Sequence, residues 1–141
     1  MHVIIVGCGR VGARVAEMMH SEHDVVVIDE NVHSFERLPL SFRGATMLGE
    51  ASDFDLLRGA GIEKTNALCA LTQRDNMNIM ISQIATRIFA VPLVITRIYD
   101  PSRAEVYRSL GMIVVCPTEV GVDDIEAILA APVRRAEPGA S

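Results

Sequence analysis

Short aliphatic runs alternate with segments of helical period along most of the chain. Val3–Val6 is four aliphatic residues in a row, as expected of a strand buried on both faces. Arg10–His20 then reads as a helix with Val11, Val15 and Met18 or Met19 on one stripe. The next strands read as Val25–Asp29 and Ala45–Leu48, with a short helix at Val32–Leu38 between them, stopped by Pro39. Ser52-Asp-Phe-Asp55 resembles a capping box that opens a helix through Arg58. Ala67–Leu71 is the fourth strand. Asp75–Phe89 carries the clearest helical period, with Met77, Met80, Ile81, Ile84, Ala85 and Ile88 in phase. Leu93–Ile98 and Met112–Val115 complete six strands, separated by a helix at Arg103–Leu110. A last helix, capped by Thr118, runs to about Ala130, and the tail Ala131–Ser141 is expected to be disordered.

Strands that alternate with helices imply a parallel sheet covered on both faces. The halves 2–48 and 65–115 each repeat strand–helix–strand–helix–strand. This is the plan of an α/β, doubly wound, six-stranded Rossmann fold with order 3-2-1-4-5-6. Residues 1–130 form one nucleotide-binding domain in this reading, and no second domain fits in the remainder.

Composition narrows the functional classes. The chain has 141 residues, half of them apolar, and a net charge of −5. Lys64 is the only lysine and no basic run exists, so there is no electrostatic footprint for nucleic acid or for an anionic membrane surface. Cys8, Cys69 and Cys116 are widely spaced and odd in number, which fits a reducing cytosol better than a disulfide framework. His2, His20, His23 and His33 form no zinc pattern. No stretch reads as a signal peptide or a membrane span.

Gly7-Cys8-Gly9-Arg10-Val11-Gly12 is G-x-G-x-x-G, placed between a buried strand and a helix at the start of a βαβ unit. Gly7 permits the tight turn, Gly9 lets a pyrophosphate approach the backbone, and Gly12 lets the helix pack close to the sheet. The helix N-terminus offers free N–H groups to that phosphate. Arg10 either reaches a phosphate or is a solvated first-turn residue. Cys8 is a small residue in a tight loop, at a helix N-terminus where a thiolate is favoured. Asp29 lies 20 residues after Gly9, at the end of the second strand, where a carboxylate accepts from both ribose hydroxyls and repels a 2′-phosphate. Glu30 and Asn31 follow with no arginine near them, so NADP is disfavoured. Glu50, Ala51 and Ser52 at the end of strand three are expected beside adenine or ribose, and Thr72 beside the other half of the ligand. Arg97 is a charge inside an apolar run; it meets a distal phosphate, or it is a salt-bridged or interface residue.

Chemistry is harder to place. The Tyr-x-x-x-Lys pair of short-chain dehydrogenases is missing, and no acid–base pair can be set over a nicotinamide. The chain therefore reads as a binding protein rather than an enzyme. Two alternatives are an NAD-dependent oxidoreductase subunit with its substrate domain on another chain, and an oligomerisation module with a degenerate site.

Further motifs are not required by dinucleotide binding as such. They are Gly49-Glu-Ala-Ser52 followed by Leu56-Leu57-Arg58 and Ala60-Gly61-Ile62; Ala70-Leu-Thr72 with Asn78; Arg97-Ile-Tyr-Asp-Pro101; and Leu110-Gly111-Met-Ile with Pro117. With Val6–Gly12 and Val27-Ile-Asp29 they resemble the RCK N-terminal family, also called KTN or TrkA-N. Glu50 departs from the family's usual Asp. The resemblance implies a regulatory domain of bacterial potassium channels and transporters that binds NAD(H), ATP, ADP or AMP at the glycine loop and Asp29. It implies a homodimer or a higher ring, with the last helix crossing to a partner, at the cytoplasmic face of a membrane transporter. The family's C-terminal RCK domain is absent, so a separate chain supplies it or the chain is a truncated form. Independently, the last helix carries Val122, Ile125, Ile128 and Leu129 but precedes no further strand, and a partner subunit is one place to bury that stripe. Its own sheet is the other.

Overall fold

The computed structural model describes residues 1–133 and Gly139. The expected disordered tail falls largely on residues 134–138 and 140–141, which lie outside the described residues. Six parallel strands form one sheet: β1 (His2–Val6), β2 (Asp24–Asp29), β3 (Ala45–Leu48), β4 (Ala67–Ala70), β5 (Leu93–Arg97) and β6 (Ile113–Val115). Their order is β3-β2-β1-β4-β5-β6, the doubly wound arrangement that the alternation predicts. The central strand β1 pairs with β2 through Ile5 and Val27 and with β4 through Ile5 and Cys69.

Alternate residues of β1 feed two cores. Ile4 and Val6 join Ile28, Leu57, Ile62, Leu68 and Ile81 on one face. Val3 and Ile5 join Cys8, Ala13, Ala16, Val25 and Val27 on the other. Each β1 side chain from Val3 to Val6 is at least nine-tenths buried, which explains an unbroken aliphatic run where a half-exposed strand would alternate.

The helices depart from the sequence reading in instructive ways. Helix α1 (Arg10–Met19) buries Gly12, Ala13 and Ala16, while Val11 and Met18 are exposed. Small residues form the closest part of its sheet-facing side, flanked by Val15 and Met19 of the expected stripe, which pack against the same core and are half-buried. A 3₁₀ helix (Val32–Arg37) follows β2. Helix α2 (Phe54–Gly59) is capped by Asp53, whose carboxylate accepts from the N–H groups of Asp55 and Leu56, so Ser52 is not the cap. Helix α3 (Asp75–Gln83) runs into a π turn (Ile84–Ile88) rather than continuing as α-helix to Phe89. Helix α4 (Pro101–Ser109) starts two residues earlier than expected, capped by Asp100. Helix α5 (Pro117–Ala130) has Cys116, not Thr118, at its N-cap. The Thr118 hydroxyl instead donates to the Tyr99 carbonyl at 2.8 Å.

From Val120 onward every described residue of α5 is exposed. Val120, Val122, Ile125, Ile128 and Leu129 are each 52–76% accessible. The helix does not pack on its own sheet, which excludes one of the two expected locations for its stripe. Among the described residues no helix is long and apolar enough to cross a membrane.

Candidate functional site

Strands β1 and β4 are neighbours whose connections depart to opposite sides, β1 to β2 and β4 to β5. A crevice therefore opens at their C-terminal ends. It forms a cleft of about 420 Å³ lined by residues of both halves, including Gly7, Gly9, Asp29, Ala51 and Thr72.

The glycine loop is built by exclusion of side chains. Gly7 has φ +101°, and a Cβ there would stand 2.7 Å from the Leu71 carbonyl oxygen. Its N–H donates to the Ile28 carbonyl at 2.8 Å, which turns the chain from β1 across β2. A Cβ on Gly12 would lie 1.8 Å from the Gly7 carbonyl oxygen, so α1 and the loop touch backbone to backbone. Gly9 differs: a Cβ there would meet nothing within 4 Å. That open space faces a helix N-cap with free N–H groups, a setting suited to an anion.

Asp29 closes the other side of the loop. One carboxylate oxygen accepts the Cys8 N–H at 2.7 Å and the other accepts the Asn31 N–H at 2.8 Å. Two backbone contacts fix the carboxylate plane. Each oxygen keeps a further lone pair for hydroxyl donors. The acid and the phosphate-suited loop are thus one hydrogen-bonded unit.

The second half contributes a polar floor. Asn78 is fully buried. Its carbonyl oxygen accepts from the Thr72 N–H and hydroxyl, and its amide donates to the carbonyls of Thr72 and Arg97. Four bonds on one amide hold the end of β4 against β5.

Several expected site residues lie elsewhere. Arg10 and Val11 are exposed and do not line the cleft, nor do Glu50 and Ser52, although Gly49 beside them does. Gly12 acts by packing alone. The Cys8 side chain is buried in the α1-side core, and only its backbone serves the loop. Burial raises the Cys8 thiol above its ordinary range and the Asp29 charge raises it further, outweighing the nearby Arg37. The helix-terminus expectation of a thiolate is thereby reversed. Arg97 meets no ligand space and forms no ion pair among the described residues. It is 5% exposed, donates to the Leu71 and Thr72 carbonyls at 2.6 and 3.0 Å, and lies over the Tyr99 ring. It is a strut beneath the cleft.

Sequence reading missed two arginines. Arg37, on the 3₁₀ helix, lines the cleft and reaches the Cys8 carbonyl at 3.4 Å. Arg74, at the N-cap of α3, lines it from the other half and pairs with Glu30 at 3.3 Å. The premise that no arginine stands near Asp29 is therefore corrected. A signal for Arg74 was present: it follows the strand at the topological switch point, where the next helix begins.

Residues 3–117 match the model of the TrkA-N domain. The chain belongs to the TrkA-N domain family. It is 47% identical over 113 residues to the Trk system potassium uptake protein TrkA of Streptomyces coelicolor, covering 79% of this chain and 51% of that protein. It is 32% identical over 139 residues to the TrkA homolog of Pyrococcus horikoshii, covering 94% of this chain and 61% of the relative. This TrkA-N chain thus spans only half to three-fifths of those proteins. Among solved structures, the TrkA-N domain of the Escherichia coli inner membrane protein YbaL superposes with a TM-score of 0.77 at 22% identity, over 92% of this chain and 96% of that one. The AMP-bound Kef C-terminal domain of Shewanella denitrificans gives 0.74 at 21% identity, over 93% and 83%. GsuK gives 0.75 bound to ADP, at 21% identity over 92% of this chain and 34% of that one. Its NAD-bound channel form gives 0.72 at 20% identity, over 91% and 23%.

Proposed function

We propose that this TrkA-N domain is a nucleotide-sensing regulatory module of a potassium uptake system and not an enzyme. One observation carries the reading: the Asp29 carboxylate is tied to the Cys8 N–H, so that a sugar-binding acid and an open phosphate loop form one cleft. The ligand class is an adenine nucleotide, NAD(H) or ATP, ADP or AMP. The solved relatives with bound AMP, ADP and NAD support that class for the fold. Two carboxylates at the end of β2, Asp29 and Glu30, disfavour the 2′-phosphate of NADP.

Output is assigned to assembly geometry. The bare aliphatic face of α5, with Val106, Leu110, Ile113 and Val115 also exposed, suits a second copy as homodimer or ring. The assembly acts on a membrane potassium transporter or channel from the cytoplasmic side. Nucleotides that differ in affinity for two assembly geometries shift the balance between them, by about tenfold for each 1.4 kcal/mol.

The test is calorimetry with AMP, ADP, ATP, NAD and NADH on the wild-type protein and on Asp29→Ala. Wild type binds at least one of them, and Asp29→Ala weakens that binding by roughly tenfold or more, the scale of one lost charged hydrogen bond. Potassium flux through the transporter then responds to nucleotide with wild type and not with the variant. An equal flux response in both rejects the proposal.

A further inference from the structure

We propose that Arg74 makes this cleft discriminate adenosine nucleotides by phosphate number, exchanging Glu30 for the outer phosphates of a bound di- or triphosphate. The inference rests on the nucleotide reading above and adds a specificity residue to it.

Glu30 follows β2 in the first half of the fold and Arg74 follows β4 in the second, 44 residues later. Their ion pair joins the two rims of the cleft, and both residues line it with Gly7 and Gly9. Both side chains are open to solvent, 63% and 47% accessible. A pair so exposed contributes little stability and is readily exchanged. The cleft's other cations are committed. Arg37 donates to the Cys8 carbonyl, and Arg97 lies buried beneath the floor on two carbonyls. Among the described residues the Arg74 guanidinium is held by Glu30 alone.

The chemistry follows from charge. A single phosphate is served by the backbone N–H groups at the loop and the α1 N-terminus. Each further phosphate adds negative charge in a cleft that already holds Asp29 and Glu30. The planar, permanently charged fork of Arg74 can donate to two phosphate oxygens at once, a capacity that one carboxylate contact at 3.3 Å does not use. Glu30 competes for that fork, so the ion pair opposes monophosphates hardly at all and sets a threshold for polyphosphates.

Calorimetry in metal-free buffer with AMP, ADP and ATP tests this on wild type, Arg74→Gln, Glu30→Gln and the double variant. Arg74→Gln is expected to weaken ADP and ATP by about tenfold and AMP by less than about twofold. Glu30→Gln strengthens ADP and ATP, and that gain disappears when Arg74 is also replaced, since it acts through the released guanidinium. An equal loss for all three nucleotides in Arg74→Gln overturns the proposal, as does a Glu30→Gln gain that persists without Arg74. If wild type binds none of the three, the nucleotide reading itself fails; if it binds them and Arg74→Gln leaves their ranking unchanged, only the role of Arg74 fails.

Discussion

Single residues here earn their places through backbone contacts more than through exposed chemistry. Cys8 is the clearest case: its N–H holds Asp29, its carbonyl holds Arg37, and its thiol is buried with no site to serve. Burial also raises Cys69 in β4. A thiol raised in the folded state holds its proton to higher pH than in the unfolded chain. Its contribution to stability is complete below the unfolded value and is lost as pH climbs through the folded one. Urea unfolding is therefore expected to show a stability plateau at neutral pH and a decline in the alkaline range. A Cys8→Ala, Cys69→Ala variant has a shallower decline; an unchanged alkaline slope contradicts the assignment. In sequence Asn78 was legible only as part of a motif with Thr72, and Arg97 as a charge in an apolar strand. Asn78 donates to the carbonyls of Thr72 and Arg97, and Arg97 donates to those of Leu71 and Thr72; no one-dimensional pattern records which carbonyls are left over.

At the scale of elements, the contact between α1 and the loop decides how close the helix lies. The two loop glycines at Gly9 and Gly12 make separable predictions. Gly12→Ala forces a Cβ into the Gly7 carbonyl and is expected to cost about 2–3 kcal/mol, as overpacked cores do, lowering Tm by roughly 5–10 °C. Gly9→Ala meets no protein atom and leaves Tm within about 2 °C, yet it fills the space assigned to phosphate and weakens nucleotide binding. Thermal melts paired with calorimetry separate the two; a reversed pattern removes the phosphate from Gly9. Helix boundaries show the same limit of sequence reading. Periodicity found α3, but its π turn, where the Phe89 N–H reaches the Ile84 carbonyl, shifts the phase: Ile88, expected on the stripe, is exposed, and Phe89 packs against the core. The aliphatic stripe on α1 was half right: Val15 and Met19 pack against the core, but Val11 and Met18 are exposed and the small residues Gly12, Ala13 and Ala16 lie closest to the sheet.

For the molecule as a whole, an aliphatic helix without a packing partner is the dominant unbalanced feature. α5 is the one helix of the described chain to leave its entire apolar stripe in solvent. An apolar face of this kind drives association. Replacing Ile125 and Leu129 together with Asp is expected to convert an assembled species to monomer in sedimentation experiments, with the thermal stability of the domain retained. Wild-type protein that sediments as a monomer at high concentration excludes self-association through α5.

The sequence by itself determined the parallel sheet, its strand order, the glycine loop and Asp29, because these follow from local periodicity and from residue types with one physical use. Tertiary structure alone decided that Arg37 and Arg74 reach the cleft, that Arg97 does not, and that α5 stands clear of its own sheet. Those outcomes depend on which chain ends the winding brings together and on which polar atoms remain unpaired after the strands have formed. Such long-range geometry becomes readable when the two halves meet at the switch point between β1 and β4.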